Sequence, residues 1–138
     1  MEAEVGPGPV IALDTNIVVR LITEDDPDAV VRARALILER SGFVQSTVLL
    51  ETEWVLRAVY GFKKSQIVEA LRVLGETDAI ELEDGARLDA ILGAYEDGLD
   101  FGDAIHLATC PVAAFASFDR ALLTKAKHTF PELTVVSP

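Results

Sequence analysis

The chain has 138 residues, half of them apolar and a quarter charged. This is the composition of one ordinary globular domain and excludes collagen-like, coiled-coil and disordered classes. Twelve Lys and Arg stand against 23 Asp and Glu, a formal net charge of −11, so general positive charge does not hold nucleic acid here; such a role needs a local patch, a bound cation or a partner.

In chain order, residues 1–9 read as a flexible leader ahead of a single domain over 10–138. The leader carries Glu2 and Glu4, lacks Lys and Arg, and runs into no long apolar stretch, which argues against a secretory signal. No window is long and apolar enough to span a membrane, and the expected location is cytoplasmic. Cys110 is the one cysteine, which excludes an internal disulfide framework and a cysteine-based zinc site. Val10 to Leu13 is a short apolar run closed by Asp14, the pattern of a buried parallel strand. Asn16 to Leu21 begins a short helix. Pro27 opens a second helix to about Arg40, with Val30, Ala33, Leu36 and Ile37 on its inner face. Gly42 breaks it, and Phe43-Val44 starts a strand.

Ser46 or Thr47 is placed to cap the next helix, which runs to about Tyr60 before Gly61. Ser65 is read as the cap of another, with Ile67, Val68, Leu71 and Leu74 inward. Ala79-Ile80 is a weak strand. Asp84 is read as the cap of a helix to about Tyr95, and Asp100 as the cap of one from Phe101 to about Thr109. Ala113 to Phe118 reads as a strand closed by Asp119; a basic helix from Arg120 to Lys127 and a last short strand at Val135-Val136 follow. Strands alternating with helices imply an α/β fold: a central parallel sheet of about five strands with helices on both faces. In such sheets the functional crevice lies beyond the carboxyl ends of the strands, where Asp14 and Asp119 stand.

Four carboxylates are placed to converge. Asp14 and Asp119 end strands, one glutamate lies about a turn into the third helix, and Asp103 lies in the first turn of the Asp100 helix. Like charges brought together demand a cation, and Mg²⁺ takes hard oxygen ligands, often one or two carboxylates with waters. Each acid also has a plainer reading. Asp14 suits a strand-end turn, Asp119 an N-cap, and Asp100 and Asp103 the positive end of a helix. Periodicity does not choose between Glu51 and Glu53, whose flanking faces are nearly the same.

The segments Leu13-Asp14-Thr15-Asn16, Leu50 to Arg57, Asp100 to Ala108 and Phe115-Ala116-Ser117-Phe118-Asp119-Arg120 occur in that order. Together they resemble the PIN-domain ribonucleases, specifically VapC-type toxins of bacterial toxin–antitoxin pairs, over about residues 10–137. The resemblance implies a five-stranded parallel sheet between helices and an acidic pocket binding Mg²⁺ or Mn²⁺ that cleaves RNA. Asp14, Glu51, Asp103 and Asp119 match the family's four acids, and the match selects Glu51 over Glu53. It makes Asp14 and Asp103 the metal ligands, with Asp100 as neighbour and cap. Thr15 and Asn16 would brace the Asp14 loop. Ser117, standing where many members carry Thr, is expected to hydrogen-bond a site carboxylate. The resemblance further implies an antitoxin that pushes an Arg or Lys into the acidic pocket, and a homodimer formed through helices, with those over 47–60 and 84–95 as the faces.

Arg120, Lys125 and Lys127 are candidates for RNA contact and Lys63-Lys64 form a second cluster; a solvated helix face is the competing reading of both. His106 is read as packed among Ile105, Leu107 and Ala108. Two other functions are weighed: a catalytically inactive PIN-like binding module, against which the full acid set argues, and a receiver-like signalling domain, which would need a phosphorylatable Asp at a mid-chain strand end and a Lys at a late one.

Overall fold

The computed structural model describes residues 8–138. Of the expected leader, residues 1–7 lie outside the described residues. The Gly8 amide donates to the Glu39 carbonyl at 2.7 Å, and Arg40 Nε donates to the Pro9 carbonyl at 2.9 Å. The chain divides into two compact units, one ending at Gly85 and the other spanning Ala86–Pro138.

The first unit contains β1 (Ile11–Ala12), α1 (Thr15–Thr23), α2 (Pro27–Arg40), β2 (Gly42–Val44), α3 (Ser46–Ala58), α4 (Lys64–Glu76) and β3 (Ile80–Leu82). The three strands pair in parallel in the order β1-β2-β3. Helix α2 starts on Pro27, whose fixed φ suits a first turn, while the Asp26 side chain accepts from the Ala29 amide. It buries Val30, Ala33 and Ile37 and leaves Leu36 half-buried. It ends at Ser41, at φ 60, so Gly42 belongs to the strand rather than marking the break. Gly42 is required by a close approach: a Cβ there would lie 2.6 Å from Leu13 Cδ1. The apolar centre of this unit includes Val18, Val44, Leu56, Ile67 and Leu71, all fully buried.

The second unit contains α5 (Leu88–Glu96), α6 (Phe101–Ala108), β4 (Ala114–Ala116), α7 (Arg120–Thr129) and β5 (Thr134–Val136), with a short 3-10 turn over Gly85–Arg87 leading into α5. Helices α5 and α6 pack together, with Tyr95 and Phe101 edge to face at 5.1 Å between ring centroids. Strands β4 and β5 pair in parallel.

Over the described residues the fold is therefore α/β with seven helices and parallel strands, but the expected single sheet of about five strands is corrected. The five strands form a three-stranded and a two-stranded sheet. Apolar runs mark strands; which strands share ladder hydrogen bonds depends on residues distant in sequence, and these strands, two or three residues long, have few backbone groups with which to extend a ladder. Nor is β1 covered on both faces: Ala12 is exposed, and Val10 just before the strand is 56% exposed.

Several expected caps differ as well. Ser46 is the first residue of α3, and its amide donates to Glu83 Oε1 at 2.9 Å while its hydroxyl bonds Asp84. Residues beyond β3 thus satisfy the helix start, and Asp84 is engaged there rather than capping α5. Helix α4 begins one residue before Ser65, with Gln66 Oε1 accepting from the Lys63 amide at 2.8 Å. Strand β4 stops at Ala116, leaving Phe118 83% exposed. Among the described residues, no helix is long and apolar enough to cross a membrane.

Candidate active site

In the first unit, β1 ends two residues before Asp14, which becomes the N-cap of α1: its Oδ1 accepts from the Thr15 amide at 2.8 Å. A carboxylate at this helix start is favoured by the exposed amides and the helix dipole. The Thr15 hydroxyl donates to Glu51 Oε1 at 2.7 Å. One threonine thus binds both acids, through its amide and its hydroxyl, and fixes the start of α1 against α3. Asn16 is exposed and lines the same pocket as Asp14, Thr15 and Glu51. The pocket volume is about 400 Å³, and Val19, Arg20, Val55, Val59 and Tyr60 complete its wall.

Glu53 has a different environment. It is 3% exposed, and Arg57 Nε donates to its Oε2 at 2.8 Å. Burial and an ion pair on the same helix occupy this carboxylate, while Glu51 remains exposed at the pocket.

In the second unit, Asp103 lies half-buried in the first turn of α6. Desolvation raises its carboxyl above the ordinary range, and the negative charges of Asp100 and Asp119 raise it further against the opposing pull of His106 and Lys125. Asp100 occupies the N-cap position of α6, but its side chain makes no capping bond; its backbone carbonyl accepts from Ala104. Asp119 caps α7, with Oδ1 accepting from the Leu122 amide at 3.0 Å. The Ser117 hydroxyl, expected to bond a carboxylate, accepts instead from the Asp119 amide at 2.9 Å, shaping the turn into α7. Lys125 Nζ donates to the Gly98 carbonyl at 3.0 Å, whereas Arg120 and Lys127 are exposed. His106 is exposed rather than packed: of the neighbours that suggested packing, Leu107 and Ala108 are buried, but His106 lies on the outward side of α6.

Among the described residues, no group of three or more His, Cys, Asp or Glu side chains is arranged to hold a metal ion. Mg²⁺ is ordinarily bound through one or two carboxylates with waters. In the first unit, Asp14 and Glu51 present hard oxygens of the kind Mg²⁺ takes to one pocket; in the second, Asp103 sits among negative charges that a divalent cation would offset.

Sequence reasoning passed over Arg20, Val55, Val59 and Tyr60 as pocket residues. Nothing in the local pattern marks them. The one sign was position, since Tyr60 stands where the third helix was expected to end.

A family model described as PIN domain matches residues 11–127. No curated protein and no solved structure matches the chain. PIN domains are generally nucleases and typically use divalent metal ions. With the match running from the first residue of β1 into α7, the chain belongs to the PIN domain family.

Proposed function

We propose that the chain is a divalent-metal-dependent endoribonuclease, with Mg²⁺ as its ion and Mn²⁺ able to replace it. In this reading it is the toxin of a type II toxin–antitoxin pair. The observation that carries the nuclease reading is the Asp14–Thr15–Glu51 arrangement, two acids joined through one threonine at the wall of one pocket, in a chain of the PIN family.

Asp14 and Asp103 would hold the ion, which when bound supplies a Lewis acid for the phosphate and lowers the pKa of water. Glu51, with Oε1 fixed by the Thr15 hydroxyl, orients the attacking water and accepts its proton. Asp119 completes the acid set, held in place through its bond from Leu122 and the turn that Ser117 stabilises. Arg120 and Lys127 are exposed and steer the phosphate backbone; the bond from Lys125 to Gly98 gives that residue an additional structural duty.

The toxin role brings two partners. An antitoxin would place an Arg or Lys against the Asp14–Glu51 pocket, whose charge suits it. A second copy of the chain would cover α3, where Leu50 and Trp54, four residues apart on one face, are 39% and 55% exposed.

The test is cleavage of a labelled single-stranded RNA by the purified chain. Cutting is expected with Mg²⁺, with none in excess chelator, and Asp14→Asn and Asp103→Asn each abolish it while the fold survives. Full activity of Asp14→Asn, or activity that persists in chelator, overturns the reading; tight RNA binding without cleavage returns the inactive binding module. Loss of cleavage on adding the product of the adjacent reading frame tests the antitoxin role.

A further inference from the structure

The pocket that holds Asp14 and Glu51 extends well past them, and its remaining wall is of another kind. Val19, Val55 and Val59 are apolar, Arg20 is planar at its tip, and Tyr60 is an aromatic ring. We propose that this part of the pocket is the subsite for one nucleobase of the RNA strand beside the bond that is cut, with Tyr60 as its stacking face. The proposal rests on the ribonuclease reading above and adds to it where the strand lies and which residue grips it.

The Tyr60 ring is held in two ways. Its hydroxyl donates to Asp25 Oδ2 at 2.7 Å, and its ring meets Phe62 edge to face, at 6.4 Å and 84°. Asp25 is itself held by the Thr23 hydroxyl at 3.1 Å. A ring fixed in this way loses little freedom when a base stacks on it. Arg20 is unsuited to anchoring a phosphate, because its charge is matched by Asp26 at 2.9 Å and Asp25 at 3.8 Å. What it offers the pocket is a flat guanidinium surface, which stacks on bases as aromatic rings do. The volume of about 400 Å³ lies at the small end of ligand sites, the scale of a single nucleotide unit rather than of a folded partner. Gly61, at φ 69, turns the chain directly after Tyr60, and the exposed Lys63 and Lys64 follow. Stacking does not distinguish strongly among bases, so this subsite grips the strand and sets the distance to the cut with little choice of base.

The plainer role for the Tyr60–Asp25 bond is to tie the end of α3 to the segment between α1 and α2. The experiment separates the two. The full chain is given a 5′-fluorescein-labelled single-stranded RNA that it cuts at one place, and copies of that RNA each lacking the base at one position. For the wild-type protein, one position beside the cut is expected to show a loss of about tenfold in kcat/KM, chiefly through KM. Tyr60→Ala is expected to lose about as much on the intact RNA and to show no further loss at that position. Tyr60→Phe, which keeps the ring, preserves the positional profile. Tyr60→Leu repeats the test if the alanine variant fails to fold. A flat profile for the wild-type protein, or an unchanged profile for Tyr60→Ala and Tyr60→Leu, overturns the subsite while leaving the nuclease reading intact. A wild-type chain that cuts no RNA overturns both.

Discussion

Glu51 and Glu53 are two residues apart on one helix, and the structure gives them separate environments, so the roles proposed for them are distinguished by a pair of substitutions. Glu53 is 3% exposed and bonded by Arg57 at 2.8 Å, with a second guanidinium contact at 3.5 Å. A hydrogen bond to a charged group contributes about 1.5–3 kcal/mol. Because the Arg57 side chain is 54% exposed, water screens the pair and Arg57 regains hydration when Glu53 is removed. Glu53→Ala is therefore expected to cost about 2 kcal/mol. For a chain of this length that corresponds to a fall of roughly 6 °C in Tm. Glu51→Gln is expected to change stability by less than about 0.5 kcal/mol, being an exposed substitution, and its amide oxygen still accepts from Thr15. Cleavage responds in the opposite sense. Glu51→Gln loses roughly 10²–10⁴-fold in kcat, the span of a general base, while Glu53→Ala keeps activity when assayed well below its Tm. Calorimetry and cleavage of a labelled RNA read the two effects. A Glu53→Ala protein as stable as wild type but inactive, beside an active Glu51→Gln protein, would refute the assignment.

Two further predictions concern the same unit. Gly42→Ala forces a Cβ to 2.6 Å from Leu13 Cδ1 and 3.1 Å from its Cγ; with Leu13 3% exposed it has little room to give. A loss of about 1–3 kcal/mol is expected in urea unfolding, largely recovered when Leu13→Val is added, since the two positions touch. The Tyr60–Asp25 bond makes stability depend on pH at both extremes. It raises the Tyr60 hydroxyl above its ordinary 10.0, so that contribution is complete below the ordinary value and is lost as pH rises through the raised one. It also lowers Asp25 below its ordinary 3.8, against a smaller opposing effect of desolvation, so that contribution is present above the ordinary value and is lost as pH falls through the lowered one. Tyr60→Phe should flatten both limbs of the Tm profile relative to wild type; an unchanged profile would count against the bond.

Local chemistry made much of the element order legible. Pro27 at a first turn and apolar residues at helical spacing marked α2 to its observed ends. Asp119 marked the start of α7, where its side chain makes a capping bond; Asp14, whose local pattern suits a strand-end turn, caps α1 in the same way. Asp100 follows the same local pattern, yet its side chain does not cap. Ser46 and Ser65 were misleading because the bonds that satisfy those helix starts come from Glu83 and Gln66, and a short side chain nearby is no guarantee against a longer one arriving from elsewhere. Tyr60 was invisible as a pocket residue because its partner Asp25 lies 35 positions away.

The amino-acid order alone determined which stretches become strands and helices, that the protein is acidic, and which segments carry its likeness to the PIN family. Those properties reside in neighbouring residues, where turn chemistry and apolar spacing act. Tertiary structure decided the rest: the division of the strands among the described residues into sheets of three and two, the burial of Glu53 while Glu51 stays at a pocket, and the outward placement of His106. Two glutamates with nearly identical flanking faces are equivalent to any periodic pattern. Only the arrival of Thr15 at one, and the enclosure of the other beside Arg57, makes them chemically different.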